Sequence, residues 1–96
     1  LSGTKGWVVY LIEATTGQLY CGITTDLARR FLEHGTPKGA KFFKGKRQPK
    51  AIRFVEEHAD RSSASIREAA IKKLSRAEKL VLIQTSHLDP AYGQNQ

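Results

Sequence analysis

Residues 7–12 read Trp-Val-Val-Tyr-Leu-Ile, six apolar or aromatic side chains in a row and rich in β-branched types. Such a run suits a strand buried on both faces, so it predicts the centre of a sheet and requires cover on each side. Thr15, Thr16 and Gly17 follow as a turn signal. Residues 18–23 then resume extended character, and the two segments predict a β-hairpin. Thr24 and Thr25 offer capping oxygens ahead of DLARRFLEH, a helix with Asp26 in its first turn and Gly35 available to close it. Leu27 and Phe31, four apart, point to a core, while Arg30 and His34 share a different stripe of the same helix.

Residues 36–50, TPKGAKFFKGKRQPK, hold two prolines, two glycines, six cations and no acid, which predicts a loop or irregular segment. A third short strand is expected over 51–55, with Ile52 and Phe54 alternating against Arg53, and a polar connection over 56–61. Ser62 or Ser63 can cap a second helix to about Leu74, with Ile66, Ala70 and Leu74 recurring at spacing four. Ser75 and Glu78 have capping-box spacing and predict a third helix through Ala77, Leu80, Val81 and Gln84. There are no internal repeats. Strands first and helices later give an α+β fold, a small sheet of about three strands with an N-terminal hairpin, flanked by helices.

Ninety-six residues support one modest core. The domain is expected over 7–86, with 1–6 an N-terminal extension or tag remnant and 87–96 a polar tail. No apolar run approaches a membrane span and no segment resembles a secretion signal, so a cytoplasmic protein is expected. Cys21 is the only cysteine, which excludes an internal disulfide and a multi-cysteine zinc site. Sixteen Lys and Arg against nine Asp and Glu give a formal charge of +7, so an anionic polymer is a natural partner. No obligate protein partner is evident.

Val8-Val9-Tyr10, Tyr20-Cys21-Gly22, Arg30 and His34 stand in an order and spacing that resemble the GIY-YIG nucleases, most closely the small single-domain bacterial group. The resemblance covers residues 7–79. It implies a metal-dependent endonuclease that cleaves phosphodiester bonds, in DNA more than RNA, with Tyr10, Tyr20, Arg30, His34 and Glu68 as catalytic residues. It further implies Glu68 as ligand to Mg²⁺ or Mn²⁺, and Gly22 as a structural motif residue. Val8, Val9 and Cys21 replace the family's Gly-Ile and Ile and keep apolar strand character. Ile23 stands where some relatives carry a lysine, so no lysine at that position assists the base. The larger relatives attach separate DNA-binding modules, and none is evident here, which leaves target choice open.

The residues can be weighed on chemistry alone. Phosphodiester cleavage needs an activated water, neutralised charge on phosphorus and a cation near the leaving oxygen. Glu68 suits a hard divalent cation, or simply pairs with Lys72 one turn on. Arg30 suits a phosphate oxygen, or Asp26 four residues back. Tyr10 or Tyr20 could orient or deprotonate water, although a phenol is a weak base unless cations lower its pKa; both could equally fill a half-buried sheet. His34 could hydrogen-bond one tyrosine and take its proton, or complement the helix dipole. Gly22 lets substrate or the helix start approach closely, or is a turn glycine. Cys21 reads as a small strand hydrophobe. Lys38, Lys41, Lys44, Lys46, Arg47 and Lys50 would contact phosphates, with Phe42 and Phe43 stacking on unpaired bases or anchoring the loop in the core. On these grounds the substrate is expected to be single-stranded or structured. The alternatives are a non-catalytic nucleic-acid-binding module of the same fold and, last, a protein-interaction domain.

Overall fold

The computed structural model describes residues 6–86. Strands β1 (Trp7–Ala14), β2 (Leu19–Thr24) and β3 (Pro49–His58) form one antiparallel sheet in the order β2-β1-β3. Helices α1 (Leu27–Glu33), α2 (Arg61–Lys72) and α3 (Arg76–Thr85) complete the α+β fold. The expected extension, apart from Gly6, and the expected tail lie outside the described residues. Among the described residues no helix is long and apolar enough to cross a membrane.

The apolar run of β1 is the central strand, as its composition demands. Val8, Tyr10, Ile12 and Ala14 face one side with Leu27, Phe43 and Ile52. Val9 and Leu11 face the other with Cys21, Phe54, Ala64 and Ile71. The sheet is thus covered by α1 and the 36–48 segment on one face and by α2 and α3 on the other. Each fully buried aliphatic or aromatic side chain contributes roughly 1.5–3 kcal/mol, so both layers matter in a chain this short. The β1–β2 turn closes through Gly17 at φ +90, a conformation that favours glycine, with Gly17 N–H donating to the Ala14 carbonyl at 2.8 Å.

Several local expectations are corrected. Asp26 rather than Thr24 or Thr25 caps α1, accepting from Arg29 N–H at 3.1 Å. Asp60 rather than Ser62 or Ser63 caps α2, accepting from Ser63 N–H at 2.8 Å. A carboxylate is a strong cap acceptor, and in each case it sits just ahead of the hydroxyls or the helix start. On α2 the buried residues are Ala64 and Ile71, while Ile66 is 71% exposed. Of the expected stripe, Ile66 and Ala70 are exposed and only Leu74, just past the end of α2, packs against the core. Leu82 and Ile83 turn inward on α3, whereas Leu80 and Val81 are exposed. The capping box of Ser75 and Glu78 has both its hydrogen bonds.

The third strand is longer than expected and absorbs the supposed polar connection at 56–58. Leu11 pairs with Phe54 and Ile12 with Ile52, so Arg53 is an extra residue in β3. This bulge puts Ile52 and Phe54 on opposite faces although they are two apart, which plain alternation would not do. Glu56 and His58 then face α2. Glu56 Oε1 meets His58 Nε2 at 2.8 Å and accepts from Arg67 Nε at 3.0 Å, while His58 Nδ1 lies 3.0 Å from Ser63 Oγ. Polar residues extend this strand because α2 supplies partners for them.

Candidate active site

Tyr10 on the central strand and Gly22 on the edge strand are directly opposite each other. A side chain at Gly22 would begin 2.5 Å from Tyr10 Oη, so the missing Cβ makes room for that phenol rather than for the start of α1. Tyr20, two residues earlier, lies on the same face, its ring centroid 6.3 Å from that of Tyr10. A two-residue connection then folds α1 back over this face. His34, capping the C-terminus of α1, thereby lands between the two tyrosines, fully buried. Its ring centroid is 6.1 Å from Tyr10 and 5.2 Å from Tyr20.

The hydrogen bonds of His34 determine its chemistry. Ala40 N–H points at Nδ1 from 3.1 Å, and a backbone amide can only donate, so Nδ1 carries no proton. The neutral ring is protonated at Nε2, which lies 2.9 Å from Tyr10 Oη and donates to it. Burial first, and then the nearby Arg30 charge, lower the His34 pKa to about 4. The imidazole is therefore a neutral donor to Tyr10 in this structure rather than the acceptor of its proton. The phenol of Tyr10 is itself pushed well above its ordinary range by burial and then by Tyr20, with Arg30 opposing.

Arg30 stands beside the Tyr10 phenol. Its Nη1 donates to Glu33 Oε1 at 3.0 Å and to the Lys38 carbonyl at 3.3 Å. Asp26 is committed to the N-cap, so the expected alternative pairing of Arg30 gives way to Glu33. Around Tyr20 the aromatic shell is dense, with Phe42 and Phe43 centroids 5.3 and 5.1 Å from its ring. Tyr20 nonetheless remains partly exposed on the edge strand.

Four residues spread over positions 10–34 thus meet on one face of the hairpin. A family model for the GIY-YIG catalytic domain matches residues 6–80. The chain belongs to the GIY-YIG family. It is 48% identical over 84 residues to a UPF0213 protein of Yersinia enterocolitica, covering 85% of this chain and 86% of that one. The solution structure of a UPF0213 protein from Bacillus halodurans is 32% identical, covers 82% of this chain and 83% of its own, and superposes with a TM-score of 0.52. That of a protein from E. faecalis is 31% identical, covers 90% and 94%, and gives a TM-score of 0.58. The three-stranded antiparallel sheet with three helices is the fold of these relatives.

In this GIY-YIG chain Glu68 is not brought into the tyrosine cluster. It lies on α2, across the sheet, where its charge acts on the Cys21 thiol, whose pKa burial and then Glu68 push up to about 12. The Glu68 side chain is 21% exposed and pairs with Lys72 Nζ at 3.3 Å. Its carboxylate is a hard oxygen donor of the kind a divalent ion takes while keeping water on its other positions, and that ion would have to displace the Lys72 ammonium. Among the described residues no three His, Cys, Asp or Glu side chains group together.

The 36–48 segment is a chain of tight turns rather than loose coil, closed by Gly39 N–H to the Thr36 carbonyl at 3.0 Å, Phe43 N–H to Ala40 at 3.0 Å and Arg47 N–H to Lys44 at 3.0 Å. Phe43 is buried in the core, so it is a loop anchor and not a surface for unpaired bases. Phe42 is half-buried, with the Arg47 guanidinium 4.4 Å over its ring. Lys38, Lys41, Lys44, Lys46 and Lys50 are exposed. Sequence reasoning missed Glu33, Gly39 and Ala40. A side chain at Gly39 would run into His34 Cα and the Glu33 carbonyl, so glycine there is what lets Ala40 reach the imidazole. A glycine inside a lysine-rich stretch was the available signal.

Proposed function

We propose that this domain is a divalent-metal-dependent endonuclease that hydrolyses phosphodiester bonds, in DNA with single-stranded or structured character. The observation that carries the reading is the convergence of Tyr10, Tyr20, Arg30 and His34 on one face beside the open edge of β2. Motif residues that merely filled a sheet would not need a buried histidine oriented by a backbone amide and a guanidinium beside it.

Tyr20 is the group assigned to the attacking water. It keeps partial exposure at the edge, whereas Tyr10 is buried and holds its proton tightly. Tyr10 and His34 are positioning residues that lock the face against which Tyr20 and Arg30 work. Arg30 offers its remaining N–H groups to a phosphate oxygen as charge grows on it. Glu68 would hold Mg²⁺ or Mn²⁺, which when bound neutralises charge on the reacting phosphate. Substrate would reach both groups at the β2 edge, one of the two sheet edges, which carries Tyr20 on the α1 face and Cys21, beside Glu68, on the α2 face.

The test is incubation of the purified protein with labelled single-stranded, duplex and branched DNA, and with RNA, in Mg²⁺, Mn²⁺ or EDTA. Cleavage that requires the cation and is lost in Glu68→Gln supports the reading. Tight binding without cleavage under every condition replaces it with the binding-module alternative, which the Glu68–Lys72 pair favours by occupying the carboxylate.

A further inference from the structure

A cleft of about 210 Å³ opens beside the proposed reaction centre, lined by Gln18, Leu19, Phe42, Arg76 and Lys79. Its walls come from three distant parts of the chain: the start of β2, the turn-rich segment and the first turn of α3. Arg76 Nη1 donates to the Gly17 carbonyl at 2.6 Å, which ties α3 to the hairpin turn and sets the wall in place. Arg47 leans in from the neighbouring segment, its Nε bonded to the Phe42 carbonyl at 2.6 Å and its Nη1 to Gln18 Oε1 at 3.3 Å.

The charge in this cleft is one-sided. No carboxylate lines it, and among the described residues neither Arg76 nor Lys79 nor Arg47 forms an ion pair. Glu78, the nearest acid in sequence, is spent on the capping box with Ser75. Two lining cations, Arg76 and Lys79, with apolar Leu19 and Phe42 beside them and Arg47 bonded to two of the lining residues, fit a phosphate with its attached sugar or base. The volume is below the roughly 300 Å³ from which pockets enclose a free drug-sized ligand, so it suits one unit of a passing polymer. Phe42 connects the cleft to the reaction centre, its ring 5.3 Å from that of Tyr20.

We propose that this cleft is a phosphate subsite in which Arg76 and Lys79 hold a nucleotide flanking the bond presented to Tyr20. The subsite rests on the endonuclease reading. It extends the interface from the basic segment at 36–50 onto the start of α3, and it anchors one strand so that the next phosphate comes to the β2 edge. Lys79 is the cleaner probe, since Arg76 also holds the hairpin turn.

The experiment has two arms, both with a fluorescein-labelled single-stranded oligodeoxynucleotide in EDTA, after the cut position has been mapped with Mg²⁺. In the first, Lys79→Gln lowers the slope of log affinity against log salt by about 0.7, the loss of one phosphate contact on a single strand, while Lys79→Arg keeps it. In the second, a neutral methylphosphonate is walked along the strand. It weakens the wild type at one linkage flanking the cut, and Lys79→Gln is insensitive at that linkage. A wild-type slope and a wild-type response at every linkage in Lys79→Gln overturn the subsite, and leave the nuclease reading intact if the wild type still cuts the strand with Mg²⁺. Failure of the wild type to bind or cut any strand overturns the nuclease reading and the subsite with it.

Discussion

His34 is held neutral by a backbone amide that can only donate and by a burial that disfavours charge. The unfolded chain binds a proton on this ring below about 6.5, and the native chain does so only near 4. Stability is therefore complete above pH 6.5 and falls as the pH drops toward 4, by up to about 3 kcal/mol from this residue. Denaturant unfolding at pH 7 and pH 5 measures the effect, and His34→Gln, which keeps a donor and an acceptor but cannot titrate, should flatten it. An equal loss of stability in both proteins would remove His34 as the cause. The two tyrosines should separate by role. Tyr20→Phe is expected to lower single-turnover cleavage by about 10²–10⁴, the range for losing a general acid–base group. Tyr10→Phe leaves the Nε2 proton of His34 buried without an acceptor, and should cost about 1–3 kcal/mol of stability with a smaller loss of rate. The reverse ranking would reassign the base. Arg30→Ala should slow cleavage by about 10²–10³ with little change in binding; weakened binding at an unchanged saturating rate would make Arg30 an anchor only.

Among the elements, β1 and the hairpin were legible because an uninterrupted apolar run has one comfortable place in a small sheet. The capping box of α3 was legible because both of its partners are local. What was not legible depends on partners far along the chain. The polar end of β3 is a strand because Arg67 and Ser63 on α2 meet Glu56 and His58, and the bulge at Arg53 reverses the faces of Ile52 and Phe54. The site followed the same division. The resemblance of Tyr10, Tyr20, Arg30 and His34 to the GIY-YIG pattern implied a shared site, but the direction of the His34–Tyr10 bond needs Ala40, which Gly39 brings near. The 36–48 segment thus belongs to the scaffold of the site as well as to its surface. Phe43→Ala should cost about 3–5 kcal/mol, as for an aromatic removed from a core, whereas Phe42→Ala should cost less because Phe42 is half-buried. Thermal or denaturant unfolding of the two variants provides the comparison, and an equal, small cost would return Phe43 to the surface.

At the scale of the whole molecule, a net charge of +7 draws any polyanion, so charge alone does not choose between single strands and duplex. Shape does. Tyr20 lies half-buried under Phe42 and Phe43 at the sheet edge, so a phosphate must leave its neighbours and come in close to reach it. A duplex with a persistence length of about 150 bp presents its phosphates on a stiff convex surface and resists that bend. A single strand, or the frayed arm of a branch, bends freely and can also place a flanking unit beside Phe42. Burial of Phe43 removes one of the two aromatic surfaces expected from sequence, so the preference rests on access to the edge more than on stacking. Single-stranded and branched substrates should therefore be cut faster than a perfectly paired blunt duplex of the same sequence at matched salt. Raising the salt should lower the rates on all of them without erasing the preference, because screening weakens attraction to phosphates generally while the bending cost stays with the duplex. Equal cleavage of blunt duplex and single strands at matched salt would defeat this prediction.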